Sequence, residues 1–547
     1  MKYIAIVLIF SALLTTWSCN DCALWNFKEV NACNLSADFD ILKEPGCTVP
    51  CMVQFTPKLL GDQHLKYKWV IDGITLDSIV ATYTFTEPGN HNVTLSIDGY
   101  GCEADSSKIV NIGDPAPVPG FMPGDTVVVA PSTLTFTQNS VNATAFEWFL
   151  DGVSVQNGPQ FTHTFICDDT VQVTLKATGS GGSSEVTHRV IVRPVMFDLR
   201  KQRFGNNPSQ SENAFGVDEA TNGEFYLFVN DKKSNYLVKA NAQGVGAVSA
   251  TQNLNNQYIQ LAPTAYAKTT SGYVLLGNAV KSDFTTDFFL LKTNTSFGFF
   301  NEKAFSKALA SDSEKAYGFA EMLPGGDYLV GGEGAWQGTK GMYLSTVNQG
   351  LTSATHKQFF PTDQTATALA VERAPDGGYW VVGASQAQNQ TFFFRLKSDL
   401  TPDGASIPIG QASFQVSKII VWDSQTAIVL GTESNAARIV KVTGNSAAAP
   451  WVFPYLFRYG LRSSEGRLIL AGQDAATQMP AWFEINPQTG ILVNKELLGS
   501  SSLIDAGLAM CMAETKDCGF IIVGQGAKNG ETYQTILVKT DKNGRTR

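Results

Sequence analysis

Charge and histidine are scarce in this chain, and the local signatures of catalysis are missing. Of its 547 residues only 16% are charged, five are histidine, and the net charge is −9. Lys and Arg are scattered, with no basic stripe to neutralise phosphates, which excludes nucleic acid as a partner. The histidines, at 64, 91, 163, 188 and 356, are dispersed. A zinc site would need them clustered, or a second close cysteine pair, so no metal is expected. There is no Gly-x-Ser-x-Gly elbow, no His-Glu-x-x-His, no Gly-x-x-x-x-Gly-Lys-Ser/Thr loop and no sialidase-type Ser-x-Asp-x-Gly-x-Thr-Trp box. No catalytic residue and no cofactor are therefore expected. Carboxylates assembled from distant segments would leave no local motif, and Asp287, Glu321, Glu333, Glu372 and Glu433 are candidates of that kind. Beyond the N-terminus, no stretch reaches the ~18 consecutive apolar residues of a transmembrane helix.

What is present is a repeat. An apolar run closed by glycine recurs as Tyr273-Val-Leu-Leu-Gly277, Tyr328-Leu-Val-Gly331, Tyr379-Trp-Val-Val-Gly383, Ala427-Ile-Val-Leu-Gly431, Leu468-Ile-Leu-Ala-Gly472 and Phe520-Ile-Ile-Val-Gly524, after a degenerate copy, Phe225-Tyr-Leu-Phe-Val229. The closing residues are 48, 54, 52, 48, 41 and 52 positions apart, close to the period of propeller blades. Upstream of each run lies a half-polar stretch with a tight turn, such as Pro375-Asp-Gly-Gly378; downstream lies an alternating strand, such as Phe392-Phe-Phe-Arg-Leu-Lys-Ser398. After most copies an aromatic-rich fourth segment follows, but the last copy stops at Arg547 without one. A segment of that type, residues 196–205, stands alone before the first copy. It is predicted to complete the last blade and close the ring, leaving no unpaired central edge.

The N-terminus reads as a signal peptide. Met1-Lys2 precedes an apolar stretch from Ile4 to Leu14 and then Thr15-Thr-Trp-Ser-Cys19. Ser18-Cys19 resembles a bacterial lipobox, which implies lipidation of Cys19 as the mature N-terminus; the alternative is an ordinary secretory peptide cleaved near Cys19. Setting Cys19 aside leaves eight cysteines, an even number suited to an oxidising compartment. Cys511 and Cys518 flank the Glu514–Asp517 turn and are expected to bridge across a hairpin. Cys22–Cys33 is a second expected pair.

Two similar modules of about 80 residues precede the repeats. Each has a Trp strand running into Asp-Gly (Tyr67-Lys-Trp69-Val-Ile-Asp72-Gly73; Phe146-Glu-Trp148-Phe-Leu-Asp151-Gly152), then Tyr83-Thr-Phe85 or Phe161-Thr-His-Thr-Phe165, then a Val-Thr-Leu strand. The alternation and turn spacing predict immunoglobulin-like β-sandwiches with Trp69 and Trp148 in their cores. These residues resemble the PKD family over about residues 35 to 194. Both copies lack the Gly before Asp72 or Asp151, and carry Asn92 and Gln172 where Tyr is usual. In bacterial relatives paired Gly-Cys motifs recur where Gly46-Cys47 and Gly101-Cys102 stand here, which implies a Cys47–Cys102 bridge. Partners for Cys51 and Cys167 stay open. The repeats look like those of secreted and surface proteins of Bacteroidota, and Asp77-Ser-Ile79, Asp125-Thr-Val127 and Asp169-Thr-Val171 resemble that phylum's O-glycosylation motif or are ordinary turn residues.

The expected chain is thus all-β. It comprises a signal peptide (1–18), a lipidated tether (19–34), two PKD-like β-sandwiches (35–113 and 114–194) and a seven-bladed β-propeller (195–547). The expected function is non-catalytic. It is that of a monomeric, extracytoplasmic lipoprotein held to the outer membrane or cell surface by its lipid alone, with the sandwiches as spacer and the propeller loop face engaging a protein or glycan. The alternative is a surface glycoside hydrolase or lyase with its site in the propeller channel. Trp336, after Gly334, is the candidate for an exposed aromatic that stacks on a ligand.

Overall fold

The computed structural model describes residues 35–60, 64–253, 258–269, 272–294, 296–305, 313–322, 325–336, 339–359, 363–500 and 502–547. The expected lipidation at Cys19 and the Cys22–Cys33 bridge lie outside the described residues. The described chain is all-β, with no helix among these residues. It divides into two compact units, one formed by residues up to 120 with 140–146 and 176–185, the other by 121–139, 147–175 and 186–547.

In the first unit a three-stranded sheet (Phe39–Leu42, Cys51–Pro57, Ala81–Phe85) and a four-stranded sheet (Ile74–Leu76, Lys66–Ile71, Gly89–Gly99, Cys102–Ile112) share one core. The period of two dictates which side chains enter it: Cys51, Val53 and Phe55 point in, Met52 and Gln54 out. Trp69 is fully buried with its ring 5.1 Å from Phe39 and 5.8 Å from Phe55, and its indole N–H donates to the Ser78 carbonyl at 3.0 Å. Asp72 and Gly73 take positive φ (48° and 83°), as a two-residue turn between right-twisted strands requires. The second module repeats the device at Asp151 and Gly152 (46° and 81°), and Trp148 is buried with its N–H on the Gly158 carbonyl at 2.9 Å.

From Phe197 onward seven sheets follow one another. Their first strands are Asn213–Glu219, Tyr258–Thr269, Lys315–Met322, Ala366–Arg373, Gln415–Val421, Tyr455–Arg462 and Ala506–Glu514. Each glycine-closed run of the repeat is the second strand of its sheet, buried on both faces. First strands neighbour one another in order, and Ala506–Glu514 in turn neighbours Asn213–Glu219. In the seventh sheet the outer position is taken by Phe197–Gln202, antiparallel to Gln534–Thr540. The turn of that sheet is tied down on several sides. The Asp517 carboxylate accepts from Lys539 Nζ at 2.9 and 3.2 Å and from the Val195 amide at 2.9 Å.

Two expected disulfides are corrected. Cys518 pairs with Cys167, 351 residues away, while Cys511 is a buried free thiol. The hairpin register explains this: Cys511 stands opposite Val523, and Cys518 lies in the turn itself with a positive φ of 62°. Cys47 pairs with Cys51 across 5.7 Å between Cα atoms, not with Cys102. The Cys47 carbonyl accepts from the Gly113 amide, just past the far end of strand Cys102–Ile112. At about 3.3 Å per residue that strand separates its two ends by roughly 35 Å, beyond any disulfide.

Candidate functional site

Every one of the seven first strands carries a β-bulge at the same place. The residue just before the bulge stands opposite the residue that closes the repeat, or in the third sheet the glycine after it: Ala214 opposite Val229, Pro263 opposite Gly277, Ala316 opposite Gly332, Ala368 opposite Gly383. The last three sheets follow suit, with Val416 opposite Gly431, Phe457 opposite Gly472 and Ala509 opposite Gly524. In the last three sheets the bulged backbone crowds the closing glycine: a Cβ at Gly431 would sit 2.3 Å from the Gln415 carbonyl oxygen, one at Gly472 1.8 Å from that of Leu456, and one at Gly524 2.0 Å from that of Leu508. At Gly277, Gly331 and Gly383 it would instead meet the side chains of Phe289, Val371 and Phe392 first. Bulges re-aim a side chain out of the ladder. Here the extra residues are Phe215, Thr264, Tyr317 and Leu369 in the first four sheets and Ser417, Arg458 and Met510 in the last three, and all of them line a single cavity of about 620 Å³.

The chemistry of that cavity is uneven around its wall. The residues that resume the ladder after the bulge are small in the first four sheets (Gly216, Ala265, Gly318, Ala370). In the last three they are Lys418, Tyr459 and Cys511. Lys418 Nζ forms an ion pair with the Glu372 carboxylate and lies 5.3 Å from the centroid of the Tyr459 ring. Burial opposes the Lys418 charge, but the Glu372 carboxylate outweighs it and holds the ammonium above its ordinary range. Burial likewise pushes the Tyr459 phenol up to about 12, against the pull of Lys418. The Tyr266 hydroxyl donates to the Val217 carbonyl at 2.7 Å and lies 3.5 Å from Cys511 Sγ. The other cavity carboxylates are engaged. Asp218 pairs with Lys268 at 2.5 Å and accepts from the Tyr273 hydroxyl at 2.6 Å, and Glu514 accepts from the Ser464 amide and hydroxyl at 2.7 and 2.6 Å.

Of the five carboxylates singled out in the sequence, Glu372 reaches this cavity. Asp287 is tied to Lys281 at 2.7 Å and to the Tyr258 hydroxyl at 2.9 Å, Glu333 to the Tyr317 hydroxyl at 3.1 Å, and Glu433 to Arg438. Trp336 ends the strand Asp327–Trp336; its side chain lies outside the described residues. Sequence reasoning missed Lys418, Arg458, Tyr459 and Tyr266. The signal that could have found them is the glycine opposite six of the seven bulges.

Burial pushes the Cys511 thiol from its ordinary value near 9 up to about 11. At pH 8 the native thiol is then about one part in a thousand ionised, so iodoacetamide is expected to label it only after unfolding. The folded state keeps this proton longer than the unfolded chain does. The stabilisation is present below pH 9 and is lost as pH rises toward 11, a fall of about 2–3 kcal/mol that Cys511→Ala removes. Labelling of the native thiol at pH 8 would contradict this burial.

No protein-family model and no curated protein matches the chain. Solved structures share its propeller-like all-β fold at low similarity. The NanB sialidase of Streptococcus pneumoniae matches over 89% of this chain and 96% of its own, at 7% identity and a TM-score of 0.38. The periplasmic gluconolactonase of Pseudomonas aeruginosa matches over 62% and 98%, at 12% identity and a TM-score of 0.37. A quinonprotein alcohol dehydrogenase-like protein of Bacteroides thetaiotaomicron matches over 70% and 96%, at 12% identity and 0.34. These neighbours bear the names of enzymes and enzyme-like proteins, which runs against the expectation of a non-catalytic binding and adhesion module. Their particular activities remain theirs, since likeness at this level reports fold alone.

Proposed function

We propose that the chain is a cell-surface enzyme that breaks glycosidic bonds in the cavity of its propeller. The observation that carries this reading is the Glu372–Lys418–Tyr459 arrangement on the cavity wall. Whether a glycosidic bond is hydrolysed or eliminated, its leaving oxygen must receive a proton. Tyr459 is a protonated phenol at neutral pH, and the Lys418 ammonium beside it stabilises the phenolate left when the proton departs. Glu372 holds that ammonium in place. Phe215 and Tyr317 offer rings on which a pyranose stacks.

The finer architecture belongs to the same proposal. The cyclic order of first strands and the pairing of Phe197–Gln202 with Gln534–Thr540 support a closed seven-bladed β-propeller over residues 195–547. The paired sheets around Trp69 and around Trp148 support PKD-type sandwiches at 35–113 and 114–194. The Cys47–Cys51 and Cys167–Cys518 bridges fit an oxidising, extracytoplasmic location. Lipidation of Cys19 is the anchor in this reading.

The test is release of reducing ends from a panel of polysaccharides by the full-length chain. On a cleaved substrate, Tyr459→Phe is expected to lower kcat about 100-fold with KM little changed, and Lys418→Met to lower it comparably. A wild type that cleaves no polysaccharide, or a Tyr459→Phe variant with full activity, would sink the reading.

A further inference from the structure

The ring of bulge residues contains one charge. Six members are neutral, and the seventh is Arg458, exposed toward the cavity. Its guanidinium has no ion-pair or hydrogen-bond partner among the described residues. The other two cations of the wall are neutralised, Lys268 by Asp218 and Lys418 by Glu372, and Glu514 is occupied by Ser464. A guanidinium left unpaired inside a cavity keeps its planar fork of donors for a ligand. The bulge aims it: Phe457 on one side is fully buried in the core, and Arg458 is the extra residue that the ladder does not use.

We infer that the cavity takes a sugar bearing a carboxylate, a uronate, with Arg458 as the receptor of that carboxylate. The inference rests on the cavity being the glycan site proposed above. A carboxylate carries one charge on two coplanar oxygens, the complement of a single guanidinium fork. Around it, Tyr317 presents a ring fixed by its hydroxyl's bond to Glu333 at 3.1 Å, and Thr264 and Ser417 present hydroxyls for a sugar's own. Leu369 and Met510 complete the ring as apolar wall. One cation among six neutral groups selects for one anionic group per bound residue.

The experiment is titration calorimetry of the full-length chain with galacturonate, glucuronate and mannuronate oligosaccharides, with the same oligomers after reduction of their carboxyls to alcohols, and with sulfated neutral oligosaccharides. The wild type is expected to bind at least one uronate series at least tenfold more tightly than its reduced form, with affinity falling as salt rises. Arg458→Gln is expected to abolish that preference and Arg458→Lys to keep part of it. Because Arg458 is exposed and unpartnered, both variants should unfold at the wild-type temperature; if Arg458→Gln does not fold, Arg458→Lys and the salt dependence decide. No preferred uronate, a preference that survives Arg458→Gln, or tighter binding of sulfated sugars overturns the inference. Cleavage of reduced glycans that depends on Tyr459 overturns it while the enzyme reading stands. Arg458-dependent uronate binding without cleavage of any polysaccharide does the reverse.

Discussion

Gly472→Val is expected to lower the free energy of unfolding by more than about 3 kcal/mol, because the new side chain has nowhere to go. The Cβ position lies 1.8 Å from the Leu456 carbonyl oxygen and 3.0 Å from the Phe457 Cα. These are backbone atoms of the neighbouring strand, which cannot swing aside as a side-chain tip can. Relief requires the sixth first strand to move away, and with it Arg458 and Tyr459. The variant should therefore lose the proposed glycan binding along with stability. Gly350→Ala is the control: the new methyl would meet nothing closer than the Thr352 side chain at 3.8 Å, and the change should stay within about 0.5 kcal/mol. Thermal and denaturant unfolding of both variants measures the contrast. A Gly472→Val protein as stable as the wild type would mean that the bulge does not dictate the glycine.

Lys539→Met is expected to cost about 3–5 kcal/mol, the usual penalty for stranding one partner of a buried ion pair. Lys539 and Asp517 have side chains only 1% and 4% exposed. Burial pulls the lysine's pKa below its ordinary value, and the Asp517 carboxylate opposes that pull. Without Lys539, Asp517 keeps the Val195 and Gly519 amides and the Thr515 hydroxyl as donors, which do not neutralise it. Adding Asp517→Asn removes the stranded charge and should restore part of the loss. Hydrogen exchange localises the effect: the amides of Phe520–Ala527 and Gln534–Thr540 should lose protection first. An unchanged unfolding midpoint in Lys539→Met would show the pair to be energetically neutral.

The repeat, its period and the outer strand from residues 196–205 could be read from the chain because each rests on local pattern: a doubly buried strand is an uninterrupted apolar run, and a meander alternates. Trp69 and Trp148 could be read for the same reason, since each lies between an alternating strand and an Asp-Gly turn. The cavity could not. A bulge adds one residue and breaks the alternation by which strands are recognised, and its occupants share no chemistry, being Phe, Thr, Tyr, Leu, Ser, Arg and Met. Glu372 was visible as a carboxylate near a strand end, whereas Lys418, its partner from the next sheet, became relevant only once the two strands were neighbours. The disulfides failed for a related reason. Spacing along the chain favoured Cys511 for Cys518, while the actual partner, Cys167, is 351 residues away.

The bulges separate two kinds of constraint that most strands combine. A residue within a ladder is judged by its cross-strand neighbour as well as by its task, so changing it perturbs the sheet. The residues at 215, 264, 317, 369, 417, 458 and 510 have no cross-strand neighbour. They form seven positions on a common frame, tied to it in places by single hydrogen bonds such as Tyr317 to Glu333 and Ser417 to the Phe457 carbonyl. A library randomised at these positions should yield mostly folded proteins with an altered cavity wall.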